Sequence, residues 1–272
     1  MEIKDKTLNS YGYLVTLARV TSADIDLIVK QWQEDPPDQE FTNILSAEVI
    51  TSYDAYGQEF YYDKSLQRYR YQDSGKFVSA QAVENLTRQS IAQVKRGLLD
   101  VHELLIGDKI SLATWEQTNA EALKKLHSWN YLLGKGGAAN MTQSDNGKLG
   151  LRLSYEYGYL RSFAQDIADG KVSEAQFLAR TDLYVNSTTG SFEEGKRAAH
   201  KDGGYVWEKR VRTKQESCQS CLGYADMGWQ PIGTLPQPTQ KCECRANCGC
   251  KFVFSKEIDR PTDGLVRRFG WL

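Results

Sequence analysis

All six cysteines of this chain fall between Cys218 and Cys250. Cys218 and Cys221 form a C-x2-C knuckle, and Cys242, Cys244, Cys248 and Cys250 follow a loop rich in Gly and Pro (Gly228, Pro231, Gly233, Pro236, Pro238). Thiolates from two such groups can close on one ion, with Zn–S bonds of about 2.3 Å in a tetrahedral shell. Four soft sulfurs make zinc the first choice, although the same shell suits an iron–sulfur centre. The loop has too few apolar residues to hold its own shape, whereas a bound metal contributes about 10–16 kcal/mol of folding free energy in isolated zinc-finger peptides. The expected ligands are Cys218, Cys221, Cys248 and Cys250, with Cys244 in reserve and Cys242 last. The competing reading is two or three disulfides. Two observations weigh against it: the opening MEIKDKTLNS has no apolar run of a secretion signal, and C-x-C-x3-C-x-C crowds its sulfurs.

The centre reads as structural. Catalytic zinc keeps an open position and normally takes His or carboxylate ligands. The three histidines, His102, His127 and His200, lie outside the cluster and form no H-E-x-x-H pair. The deaminase pattern needs an upstream His/Cys-x-Glu and a Pro before the knuckle, where this chain has Ser217. LGKGGAANM at 133–141 has the look of a phosphate cradle, but it lacks the spacing of a P-loop and the preceding strand of a dinucleotide loop. It reads as a flexible joint between helices.

The elements that must position the cysteines are mainly helical. Thr21 or Ser22 can cap a helix with Ile25, Ile28, Val29 and Trp32 on one face, ended by Pro36-Pro37; helical spacing then continues from Phe41 to Gly57. From Gln58 to Ser79 aromatic and polar residues alternate, with Asp-Ser-Gly between two strand candidates, which predicts a β-hairpin. After Ser79 comes a helical stripe of Val83, Leu86, Ile91, Val94, Leu98, Val101 and Leu105, broken at Gly107. Ser111 caps a second helix through Leu133, Asp145 a third to Ala168, and Ser173 a fourth; a further segment runs through Phe192 to His200. Gly203-Gly204 separates this body from a β-like tail around the cysteines. The expected class is α+β: a mainly α-helical body with a β-hairpin and a C-terminal β/zinc-ribbon-like module. The expected divisions are 1–57 (helical arm or subdomain), 58–200 (body), 201–256 (zinc module) and 257–272 (tail).

Composition narrows the function. At 272 residues, with a formal net charge of −1, the chain is no electrostatic trap for nucleic acid. No apolar run approaches the roughly eighteen residues that a membrane span needs. Residues 201–256 carry nine Lys/Arg against five Asp/Glu, so a nucleic-acid-binding zinc module is the alternative. In it Lys201, Lys209, Arg210, Arg212, Lys214, Lys241, Arg245 and Lys251 would meet phosphates, with Tyr205, Trp207 and Trp229 stacking on bases. An enzyme would have to draw on Arg180, Asp182, Glu193, Glu194 and His200, a charged run more typical of a solvated helix face. No catalytic residue is assigned.

Several segments carry a family resemblance in their order. They are RYRYQDSGKFVS (68–79), ISLATWE (110–116), LLGKGGAANMT (132–142), YGYLRSFAQDI (157–167), ARTDLYVNSTTGSFE (179–193), CQSC followed by Gly228-Trp229, and NCGC (247–250). Taken together the chain resembles the minor head proteins of tailed phages, the Mu F-like head-morphogenesis group, from about residue 60 to 256. Arg180 falls at an arginine that commonly opens a helix in that group, and Asp182 where an acidic residue is often found. Gly249 stands where Arg is more usual. The resemblance implies a non-enzymatic virion component in the head or neck, assembled in the host cytoplasm. Its partners would be the portal, major capsid or neck proteins, with incidental DNA contact. Some relatives carry toxin or protease domains behind this module, and the residues after Lys256 are too few for one.

Overall fold

The computed structural model describes residues 52–53 and 59–257. The expected front helices and the tail after Glu257 lie outside the described residues. Ser52–Tyr53 (β1) is a strand rather than the helical continuation that spacing predicts, and it pairs antiparallel with Glu59–Asp63 (β2). β2 pairs in turn with Arg68–Tyr71 (β3). The hairpin turns at 64–67, where Asp63 Oδ1 accepts from the Ser65 amide and hydroxyl and Gln67 takes positive φ. Asp73-Ser74-Gly75, the expected hairpin turn, instead returns the chain so that Phe77 bridges Arg70.

Four long helices form the body. α1 (Ala80–Ile106) and α2 (Leu112–Lys135) start on Ser79 and Ser111, whose hydroxyls accept from the amides three residues on. α3 (Gln143–Ala168) and α4 (Glu174–Asp202) each open with a capping box, Thr142/Asp145 and Ser173/Gln176. Thr142, not Asp145, is therefore the cap of α3. α4 is also one unbroken helix, where the sequence reads as two.

Three apolar clusters fill the bundle from end to end. Trp115, Leu160, Phe163 and Phe177 pack at one end, and Ile91, Leu98, Leu126 and Val185 in the middle. Phe60 and Tyr69 of the hairpin close over Val83, Trp129, Leu133 and Phe192 at the other end. A polar layer crosses the α2–α4 contact: His127 lies between Ser191 (2.8 Å) and Ser187 (3.3 Å), and Asn130 donates to Thr188. Burial is the main force pushing His127 well below its ordinary pKa, so the ring is a neutral packing group.

Polar contacts tie the α2 end of the glycine-rich joint to α3 and α4. Gly136 ends α2 in the left-handed conformation. Lys135, only 1% exposed, is held by Asp145 at 2.9 Å and Asp202 at 2.5 Å. Tyr131 donates to Asp145 at 2.6 Å.

After α4, Trp207–Val211 (β4) is the centre of a three-stranded antiparallel sheet, flanked by Gln230–Pro231 (β5) and Lys251–Ser255 (β6). A short helix, α5 (Gln219–Asp226), follows β4. The fold is thus a helical body with an antiparallel hairpin and a cysteine-rich β-containing module. Among the described residues, no helix is long and apolar enough to cross a membrane.

Candidate metal centre

Cys218 is the N-cap of α5 and Cys221 lies in its first turn. Cys242 and Cys244 lead into a 3-10 turn over Arg245–Asn247, where Arg245 takes positive φ. The turn is fastened by Arg245 N donating to Cys242 O and Asn247 N to Cys244 O, each at 2.9 Å, and it brings Cys248 back onto Cys221. Cys250 then leads into β6. All six cysteines are free thiols gathered in one cluster.

The Sγ atoms of Cys221, Cys242, Cys244 and Cys248 lie within 4.8 Å of one another. Cys221 is 3.6 Å from Cys244 and 3.7 Å from Cys248, and Cys242 is 3.5 Å from Cys244. Four sulfurs each about 2.3 Å from a shared centre would stand about 3.8 Å apart, the edge of the zinc–thiolate tetrahedron. A disulfide needs about 2.0 Å. The spacing is that of a metal shell, and the four cysteines are arranged to ligate an ion.

Two of the four expected ligands, Cys221 and Cys248, belong to this set, and the reserve, Cys244, completes it with Cys242. Cys218 and Cys250 lie outside the four. Cys218 and Cys250 belong to the same cluster and influence the ligand sulfurs from beside them. The Cys250 thiol is the largest cause pushing Cys248 down to about 3, with Arg210 adding to it, while burial pushes Cys221 up to about 12. No spacing rule separates Cys242 from Cys250; the 3-10 turn does, and nothing in C-x-C-x3-C-x-C announces its direction.

The strand beside the cluster supplies a residue that the sequence reading misplaces. Glu208 and Arg210 alternate inward on β4, both with 0% exposure. Arg210, expected on phosphate, instead points its guanidinium at the sulfurs: Nη2 is 3.1 Å from Cys248 Sγ and 3.5 Å from Cys221 Sγ. Nη1 donates to Pro236 O. Burial lowers its pKa, but the Cys248 and Cys221 sulfurs more than offset this and hold it above the ordinary value. Lys251 pairs with Glu84 and Lys214 donates to Asn247 O, so three of the eight expected phosphate contacts are engaged within the chain. A Cβ on Gly249 would lie 2.6 Å from Lys214 Cγ, so the glycine makes room for that lysine stem.

Four of the five residues an enzyme would draw on are engaged in contacts within the chain. Arg180 meets Asp166 and Asp182 meets Lys95. Glu193 accepts from Lys196 and from the Phe252 amide, and His200 stacks on Phe254. No family model, curated protein or solved structure matches this chain.

Proposed function

We propose that the four-sulfur shell holds zinc for a structural purpose, and that the chain is a non-enzymatic minor head protein of a tailed-phage virion. It would act near the portal, in head assembly or DNA delivery. The observation that supports the structural role is the all-sulfur donor set of Cys221, Cys242, Cys244 and Cys248, because structural zinc takes four such ligands whereas catalytic zinc normally includes His or carboxylate and keeps an open position. The virion assignment is supported by the ordered segments from about 60 to 256 that resemble the Mu F-like group. Portal, major capsid or neck proteins are the partners, and the head or neck is the location after assembly in the host cytoplasm.

Immunodetection and cryo-EM of assembled particles test the virion role. The protein is expected in mature heads or in assembly intermediates, and its absence from both would end that reading. Elemental analysis of the purified full chain tests the metal, with one zinc per chain expected.

The nucleic-acid reading keeps one supporting feature, an open groove beside β4 to which Lys209 and Arg212 contribute, with Asp226 also in its lining. If the groove is the protein's main working surface, DNA binding weakens steeply with salt. For a head protein touching DNA incidentally, binding at physiological salt is negligible.

A further inference from the structure

We propose that Arg210 is a positioning residue of the metal centre, the buried cation that compensates the charge of the tetrathiolate and holds two of its sulfurs in place. This rests on the metal reading above. A divalent ion with four thiolates carries a net charge of −2, and a buried charge is costly unless it is paired and hydrogen-bonded. The guanidinium of Arg210 has no exposure, and its charge is met by sulfur. Glu208, the acid that shares its face of β4, is taken by Arg197 at 2.7 Å.

The fork geometry matters as much as the charge. One guanidinium nitrogen reaches Cys248 and Cys221 while the other is fixed by Pro236 O, and the plane lies 4.9 Å over the Tyr224 ring. An ammonium is a point charge on a flexible stem and cannot make all of these contacts at once. Cys221 and Cys248, the sulfurs that Arg210 touches, are buried; among the four ligands only Cys244 is half-exposed. An attacking chelator therefore meets Cys244 first, and Arg210 slows the loss of the remaining sulfurs by holding their charge.

Cobalt-substituted full-length protein provides the test. N–H···S bonds withdraw electron density from sulfur and so raise the energy of the sulfur-to-cobalt charge-transfer band. Arg210→Met is expected to bind cobalt with unchanged stoichiometry, to move that band to lower energy, and to weaken metal affinity about 10- to 100-fold, the usual effect of losing an outer-shell partner. Arg210→Lys should return the band at least halfway, which a purely packing role for the side chain would not do. If the Met variant keeps the wild-type band and affinity, the role given to Arg210 is overturned and the metal centre stands. If the wild type binds no metal, the metal reading itself fails.

Should Arg210→Met not fold, cadmium-113-loaded wild type supplies the same decision. A proton–cadmium correlation from the Arg210 guanidinium across the N–H···S bond supports the proposal. Its absence from a spectrum that shows the cysteine β-protons overturns it.

Discussion

Gly134 of α2 and Gly195 of α4 each press bare backbone against the other's helix. A Cβ on Gly134 would lie 2.1 Å from the Phe192 carbonyl oxygen, and one on Gly195 would lie 2.2 Å from that of Tyr131. This mutual approach makes α2–α4 the most extensive contact in the body and brings Lys135 within reach of Asp202. Gly195→Ala must push the helices apart. It is expected to cost about 3 kcal/mol, the upper part of the range for overpacking, measured as a fall in the urea midpoint at unchanged slope. Gly147→Ala, on an open face of α3, should be neutral or slightly stabilising.

The sulfurs should separate into two groups. Cys221→Ser, Cys242→Ser, Cys244→Ser and Cys248→Ser are expected to abolish stoichiometric zinc in elemental analysis of the full chain. Cys218→Ser and Cys250→Ser should retain it with weaker affinity, because they stand in the cluster but outside the set of four. Zinc loss from Cys218→Ser as complete as that from Cys242→Ser would refute this choice of four. Chelation of the wild type should loosen the segment around 205–255 more than the helices at 80–185, a pattern readable by amide exchange.

Arg197 donates to both Glu208 carboxylate oxygens, at 2.7 and 2.9 Å, and to Leu235 O. Glu208 has no exposure, so Arg197→Met strands a buried carboxylate and is expected to cost about 3–5 kcal/mol. Replacing both partners, Arg197→Met with Glu208→Leu, should recover much of that loss. Chemical denaturation of the single and double variants measures the difference.

His200 gives the pH dependence a sign. Its ring donates from Nδ1 to Lys196 O at 2.7 Å and stacks on Phe254. Burial is the largest cause pushing its pKa down to about 4. The unfolded chain takes up a proton on this ring near 6.5, so between about 6.5 and 4 the unfolded state binds more protons and stability falls as pH falls. His127, lowered for the same reason, adds to that slope. The His200 Hε1 resonance should titrate near 4, and His200→Phe should flatten part of the stability loss between pH 7 and 5.5. A titration midpoint above 6 would contradict this environment.

Much of the helical frame is legible in the residues. Ser79, Ser111 and Ser173 mark their helices because each hydroxyl has an amide to accept, and the Val83-to-Val101 stripe marks the buried face of α1. α4 reads as interrupted because Ser187, Thr188, Gly190 and Ser191 look like a break. They are small and polar because His127, Asn130, Arg152 and Thr239 come close there. The presence of a thiolate centre is legible too. Its membership is not, since that depends on which way the chain folds at Arg245. Arg210 was within reach: strict alternation along WEKRV puts it on the same face as Glu208, and two charges facing inward need partners.

Gly203-Gly204 offers the chain a hinge between body and ribbon, and the contacts around it splint that hinge shut. Arg197 grips Glu208 and Leu235, Glu193 caps the Phe252 amide, Lys251 reaches Glu84, and Arg152 donates to Thr239. These ties run to three different helices, so a pull on the ribbon loads the bundle directly instead of swinging at the glycines. The hairpin packs at this same end, where Gln67 meets Gly203, so force or torque delivered at the cysteines passes along α4 toward the far cluster of Trp115, Phe163 and Phe177.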